Sequence, residues 1–288
     1  MARTRAPIGA HTASPPIGAH VSVAGGLLRA LPRAADLQAE AIQVFVANPR
    51  GWAPPPADPE GDEAFRTTCP LPVFVHAPYL INFGSPSPET LAKSSGALEF
   101  SLRRAAAIGA QGVVMHAGSA VLGNRWEDAM AQVREHIRPV LDAVPDAPAL
   151  LIEPTAGGGG ALASDAASLG AYLDTLERDE RLGVCLDTCH MQAAGHDLGT
   201  PELFTAALRA FGRAAGRGRI GLVHVNDSRD PVGSKRDRHE AIGRGTIGAA
   251  AFAALFTAPA TRHVPMVVET ADVDHAADIA TLKKLRDA

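Results

Sequence analysis

Nowhere in these 288 residues does an apolar run approach the ~20 residues needed to span a membrane. Arg3 and Arg5 stand near the N-terminus, but no apolar signal core follows them, which argues against a secretory leader. Cysteine is scarce. Cys69, Cys185 and Cys189 make no disulfide framework and suit a reducing cytoplasm. With no further cysteine pair to help bind a soft metal, Cys185 reads as core packing and Cys189 as having no catalytic role. Excess positive charge is missing too: the formal net charge is -4, so bulk charge does not advertise a nucleic-acid partner.

What is present is an ordinary globular composition, 46% hydrophobic and 20% charged, able to bury a sizeable core. Residues 1–16 read as a loose tail rich in Pro, Ala and Arg, and residues 17–288 as one domain. Short apolar runs suggest strands over 17–21, 42–46, 73–76, 112–116, 149–153, 183–187, 221–225 and 266–269. Between them, 90–108, 126–144, 161–177 and 201–215 read as helices, the last with Pro201 in its first turn. Strand–helix alternation with strands apolar throughout indicates parallel pairing under helical cover. Eight such units predict an α/β fold, a (β/α)8 TIM barrel. The alternative, a doubly wound sheet, calls for a Gly-rich dinucleotide turn that Ala24-Gly25-Gly26 does not match.

The strand ends carry the chemistry. His76, His116, Glu153, Asp187 and Glu269 each close a run, and His224 sits one residue from the end of its own. In a barrel all strand C-termini open on one face, so these six side chains converge there. Six ionisable groups buried separately would each cost several kcal/mol, and a polynuclear metal site is a shared reason for them. Asp oxygen and His nitrogen are ordinary zinc ligands. His190 follows Asp187 by three residues; from that turn alone, Asp187 reads equally well as a helix N-cap. Asp237 and His239 lie in a polar loop, and an extended Asp-x-His projects both side chains to one side.

These residues fall within motifs that resemble endonuclease IV, the AP endonuclease family 2. They are His20-Val-Ser-x-Ala-Gly-Gly, Asn48-Pro-Arg-Gly-Trp52, Tyr79-Leu-Ile-Asn82, Asp187-Thr-Cys-His190, His224-Val-Asn-Asp227 and Gly233-Ser-x-x-Asp-Arg-His239. The resemblance runs from about Ile17 to the C-terminus. It implies three Zn2+ per chain, with Mn2+ admissible at one site. His76 and His116 would hold one ion and Glu153 would bridge to the second. Asp187, His224 and Glu269 would complete the second site; His190, Asp237 and His239 would hold the third. In that assignment the capping role of Asp187 recedes.

The resemblance further implies hydrolysis of the phosphodiester 5′ to an abasic site in duplex DNA, leaving a 3′-hydroxyl, in base excision repair. Glu153 and Glu269 would be catalytic as well as ligating. Arg50 and Tyr79 would insert at the lesion, with Trp52 beside them. It implies a monomeric cytoplasmic enzyme, on the nucleoid when bound to DNA, with no obligate protein partner. The charge of three Zn2+ exceeds that of four ligand carboxylates, so a positive pocket can exist in an acidic protein. Arg229, Lys235, Arg236, Arg238 and Arg244 are expected to add to it. Three departures from the family pattern, Ala117, Pro154 and Arg244, leave every ligand in place. Competing readings are a metal-dependent sugar isomerase or epimerase on the same barrel, since fold does not fix function, and a non-catalytic DNA- or metal-binding protein.

Overall fold

The computed structural model describes residues 14–121, 123–271 and 274–288. The expected tail over 1–16 lies outside the described residues as far as 13. Pro15 and Pro16 belong to the folded body, their carbonyls accepting from Arg286 and from the Met266 amide.

Eight parallel strands close into a barrel: β1 (Ile17–His20), β2 (Ile42–Phe45), β3 (Val73–His76), β4 (Gly112–His116), β5 (Ala149–Glu153), β6 (Leu182–Asp187), β7 (Ile220–His224) and β10 (Met266–Val268), with β10 pairing both β7 and β1. A two-stranded antiparallel ribbon, β8 (Asp227–Ser228) with β9 (His239–Glu240), stands above the mouth between β7 and β10. The helices are α1 (Ala30–Asp36), α2 (Pro59–Thr68), α3 (Pro88–Ala107), α4 (Trp126–Ala143), α5 (Ala166–Thr175), α6 (Thr188–Ala194), α7 (Pro201–Ala215), α8 (Ala254–Thr257) and α9 (His275–Arg286). Among the described residues no helix is long and apolar enough to cross a membrane.

Local chemistry sets the helix starts. Ser87 accepts from the Thr90 amide ahead of Pro88, and Thr200 accepts from the Leu203 amide ahead of Pro201. Each cap satisfies an amide that the first turn leaves without a partner. The helix expected from 161 begins only at Ala166, because Asp165 and Ser168 form a capping box there and the preceding segment is rich in glycine.

Side chains of a strand alternate between barrel interior and helical cover. One buried cluster, Phe74, Val114, Ala149, Leu151, Cys185, Leu222 and Val267, is separate from the larger core between strands and helices. These residues share the interior parity. Moving two residues towards each strand's C-terminus from Phe74, Val114, Leu151, Cys185, Leu222 and Val267 gives His76, His116, Glu153, Asp187, His224 and Glu269. The same alternation turns Gly18, His20 and Gln43 inward from β1 and β2. Gly18 admits no side chain, since a Cβ there would lie 1.6 Å from the Ala41 carbonyl oxygen. The candidate site is the topmost layer of the barrel interior, resting on an apolar floor. Cys185 belongs to that floor, where burial pushes its thiol up to about 12.

Candidate metal centre

Six of the nine expected ligands stand on or next to barrel strands, His190 lies in the first turn of α6, and the ribbon and its preceding loop bring the other two over the mouth. They form linked groups whose donor atoms lie within 4.8 Å of one another: His76, His116 and Glu153; then Glu153, Asp187, His224 and Glu269; then Asp187, His190 and His239. Asp237 joins the third group, its carboxylate 3.1 Å from His190 Nε2 and 3.0 Å from His239 Nε2. Glu153 is shared by the first two groups. Asp187 is shared by the second and third.

Asp187 caps a helix and also turns one oxygen to the cluster. Its Oδ1 accepts from the His190 amide at 2.7 Å and caps α6. Its Oδ2 faces the cluster, 3.6 Å from His239 Nε2, and takes a 2.7 Å bond from the Asn226 amide group. Two small boundary differences leave the layer intact. Strand β7 ends at His224 rather than one residue later, and Glu269 lies one residue beyond β10.

Hydrogen bonds fix which imidazole nitrogen is free. A carbonyl only accepts, so a ring nitrogen bonded to one carries the proton. His76 Nδ1 donates to the Ala77 carbonyl at 2.7 Å, His190 Nδ1 to that of Pro154 at 3.1 Å, and His239 Nδ1 to that of Glu269 at 3.2 Å. In all three the Nε2 lone pair is left facing carboxylates of the cluster. His224 is turned the other way: its Nε2 donates to Gln43 Oε1 at 2.9 Å, leaving Nδ1 3.0 Å from Glu153 and 3.1 Å from Glu269.

Two of these donor atoms, Glu153 Oε2 and His239 Nε2, are buried without a hydrogen-bond partner. Glu153 is fully buried, and its Oε2 sits 3.5 Å from His76 Nε2 and 3.4 Å from His116 Nε2. Orphaned buried acceptors cost free energy unless something fills the gap between them. Converging lone pairs of nitrogen and oxygen suit a divalent cation, so the residues present fit zinc.

The electrostatics carry the same strain. Burial pushes His116 down to about 4. Burial also opposes charge on His239, but Asp187 and Asp237 outweigh it and carry the imidazole up to about 9. Burial would raise Glu153 as well, yet His224 and His116 hold it well below the usual carboxylate range, while burial leaves Asp187 above it. The acids draw positive charge onto His190, His224 and His239 while burial denies it to His116, and bound metal ions would supply that charge in place of protons.

The sequence alone assigned no role to the supporting residues, although Asn226 and Asp227 stand inside the His224–Asp227 motif. Gln43, wholly buried, donates to Glu269 Oε1 at 2.6 Å while accepting from His224, and its Nε2 lies 2.9 Å from His20 Nδ1. Asn226 holds Asp187 through its amide group and accepts the Glu269 backbone amide at 2.8 Å. Asp227 accepts the amides of Ser228, Gly243, Gly245, Ile247 and Gly248, anchoring the loop beyond the ribbon. A polar residue inside an apolar strand, as in Ile42-Gln43-Val44, was the available signal for Gln43.

The rim residues sit as follows. Arg50 is exposed on the loop after β2. Tyr79, 44% exposed, stacks on His116 with ring centroids 5.5 Å apart, and its amide bonds the Pro49 carbonyl, tying the two loops together. Trp52 lines a cavity of about 250 Å³ together with Pro78 and Phe100. The basic loop is less free than its composition suggests. Arg229 pairs with Glu240, Arg236 and Arg238 with Asp230, and Arg244 with Asp274, while Lys235 bonds the Ala194 carbonyl. Three acids offset much of the expected positive field, because the loop holds its shape through its own ion pairs.

Comparisons with known proteins agree with this architecture. The family described as Xylose isomerase-like TIM barrel matches residues 31–286. A protein of Streptomyces avermitilis named Probable endonuclease 4 is 52% identical over 280 residues, 94% of this chain and 90% of that protein. The crystal structure of endonuclease IV from Thermus thermophilus superposes with a TM-score of 0.82 at 33% identity, covering 95% of this chain and 99% of that one. A D-tagatose 3-epimerase-like protein shares the fold, with a TM-score of 0.73 at 17% identity over 94% of this chain and 97% of that one. On these matches the chain belongs to the endonuclease IV family, AP endonuclease family 2.

Proposed function

We propose that this chain is a DNA-repair hydrolase of the deoxyribonuclease IV type (EC 3.1.21.2), cleaving the phosphodiester 5′ to abasic sites in duplex DNA and leaving a 3′-hydroxyl. The observation that carries the proposal is the third ligand group. Asp187, His190, Asp237 and His239 meet over the barrel mouth, beyond the one or two ions that a sugar isomerase would need. His76, His116 and Glu153 would hold one Zn2+; Glu153, Asp187, His224 and Glu269 the second; and His190, Asp237 and His239 the third, with Asp187 beside it. Mn2+ could replace Zn2+ at one of them. Bound zinc ions bring water towards a neutral pKa and neutralise charge on a phosphodiester, so no protein general acid is required.

The chain's own residues do the rest. Glu153 and Glu269 orient the nucleophilic water between them, Glu269 being held by Gln43 and the amide interaction with Asn226. The Phe74–Val267 layer excludes water from below. Arg50 and Tyr79 would fill the gap left by the missing base, as side chains that unstack a duplex do. Residues 17–288, with Pro15 and Pro16 tied to them, act as the single catalytic domain of a monomeric cytoplasmic enzyme that meets the nucleoid through DNA.

The test is incubation of the purified, zinc-loaded protein with a duplex carrying one tetrahydrofuran abasic analogue, with and without chelator. Chelator-sensitive incision 5′ to the analogue is expected, with about three zinc per chain. One ion per chain would favour the isomerase, and no incision by fully loaded protein would overturn the hydrolase reading. Glu153→Gln is expected to abolish cleavage; wild-type rates would remove Glu153 from the mechanism. Arg50→Ala should weaken abasic-site discrimination more than the chemistry of pre-bound complexes.

A further inference from the structure

At the end of the barrel opposite the ligand cluster, a groove of about 800 Å³ runs between α7 and the segment after α8. Its floor includes Gly212, Gly216 and Ile220, and its far wall Ala258, Pro259 and Val264. Ile220 opens β7 and His224 closes it. At about 3.3 Å per residue, the groove lies roughly 13 Å or more along the strand from the cluster.

The near wall carries Arg209 and Arg213, one helical turn apart on the same face of α7, and Arg217 just beyond its end. All three are exposed. Three other arginines at this end are engaged. Arg178 binds Asp174 and the Ala214 carbonyl, Arg181 binds Asp179 and Asp142, and Arg219 binds the carbonyls of Asp179, Leu182 and Arg178. Among the described residues, Arg209, Arg213 and Arg217 make no ion pair and no side-chain hydrogen bond. Three unpaired guanidinium groups thus face an apolar wall in a protein of net charge -4.

We propose that this groove docks an extended acidic segment of a partner protein, with carboxylates alternating with apolar side chains. In an extended chain, side chains two residues apart lie ~6.6 Å from each other on one side, close to the ~5.4 Å turn separating Arg209 from Arg213. The carboxylates would meet the arginine wall bidentately, and the intervening side chains would face Pro259 and Ala260, which Ala258 and Val264 back from within the core. A nucleic acid is the poorer fit. The apolar wall offers nothing to a phosphate or sugar, and the groove lies at the opposite end of β7 from the ligand cluster. Arginine–carboxylate pairs at an exposed wall are weak and screened by salt, so docking is transient.

The test is fluorescence anisotropy of the full-length, zinc-loaded protein at low salt with a short labelled peptide alternating Asp and Leu. An Asn/Leu peptide and a single-stranded oligonucleotide of equal length serve as comparison probes. The Asp/Leu peptide is expected to bind, and the Asn/Leu peptide to bind on the order of tenfold more weakly. Arg209→Glu with Arg213→Glu should weaken the acidic peptide by about tenfold or more, with melting temperature, zinc content and abasic-site incision unchanged. Pro259→Asp, on the exposed far wall, should weaken it independently. Failure of the Asp/Leu peptide to bind, equal binding by the double variant, or arginine-dependent binding of the oligonucleotide in preference to the peptide would each overturn the proposal.

Discussion

Replacing Gln43 with leucine isolates what an uncharged residue contributes to a metal centre. The substitution keeps roughly the same volume at a wholly buried position of β2, so packing changes little. It removes the acceptor 2.9 Å from His224 Nε2 and the donor 2.6 Å from Glu269 Oε1. A buried N–H left without an acceptor costs about 1–3 kcal/mol, and a hydrogen bond to a charged group contributes about 1.5–3 kcal/mol. His224 can escape the first cost only by moving its proton to Nδ1, which is the atom that faces Glu153 and Glu269. A cation entering there would have to displace that proton. Loss of such an outer hydrogen bond weakens metal affinity about 10–100-fold, equivalent to about 1.4–2.8 kcal/mol. Competition for zinc against a chromophoric chelator measures the affinity, and thermal melting of the metal-free protein measures the fold separately. Gln43→Leu protein with wild-type zinc affinity would refute the reasoning, whatever its melting temperature. A lower melting temperature with unchanged affinity would mark Gln43 as a packing residue only.

Two further outcomes follow from carboxylates outside the ligand set. Asp227→Asn leaves one acceptor where two oxygens received five backbone amides, and turns an NH2 towards donors. A loss of about 3 kcal/mol is expected, with faster hydrogen exchange at Gly245, Ile247 and Gly248; unchanged protection there would show that the loop holds without it. Glu40 joins the chain ends, binding Arg286, Lys283 and the Ile17 amide. Burial pushes its carboxyl up, but those bonds outweigh burial and hold it below the ordinary value. Its stabilisation is therefore fully present above the unfolded carboxyl pKa of about 4.3 and is lost as pH falls through the lower folded value. At this half-exposed site the effect is about 1 kcal/mol or less. Melts of wild type and Glu40→Gln from neutral to acid pH should converge as pH falls, and parallel curves would contradict the assignment.

The strand-end candidate ligands were legible because one two-residue period governs both the apolar interior and the layer above it. Once Phe74, Val114, Leu151, Cys185, Leu222 and Val267 share a parity, the groups two residues on must share it too. Gln43 and Asn226 were not legible in that way. They are neutral, and their partners come from strands far away in sequence: Gln43 meets Glu269 only because β10 closes the barrel between β7 and β1. Helices α1, α2 and α9 escaped as well. Their apolar faces are short, and α2 is shaped by capping, with Asp58 accepting from the Gly61 amide.

The same geometry explains why a departure beside a ligand can leave the centre whole. Pro154 has no amide hydrogen, but what His190 takes from that position is the carbonyl oxygen, which every residue possesses. The proton on His190 Nδ1 is fixed by main chain rather than by a side chain, so Nε2 faces Asp237 whichever residue follows Glu153. His76 and His239 draw on main-chain carbonyls in the same manner, whereas His224 relies on the side chain of Gln43. Substitution beside the first three ligands should therefore be tolerated as long as the backbone keeps its path. At Gln43 the side chain itself sets the proton, and there the centre is exposed to a single change.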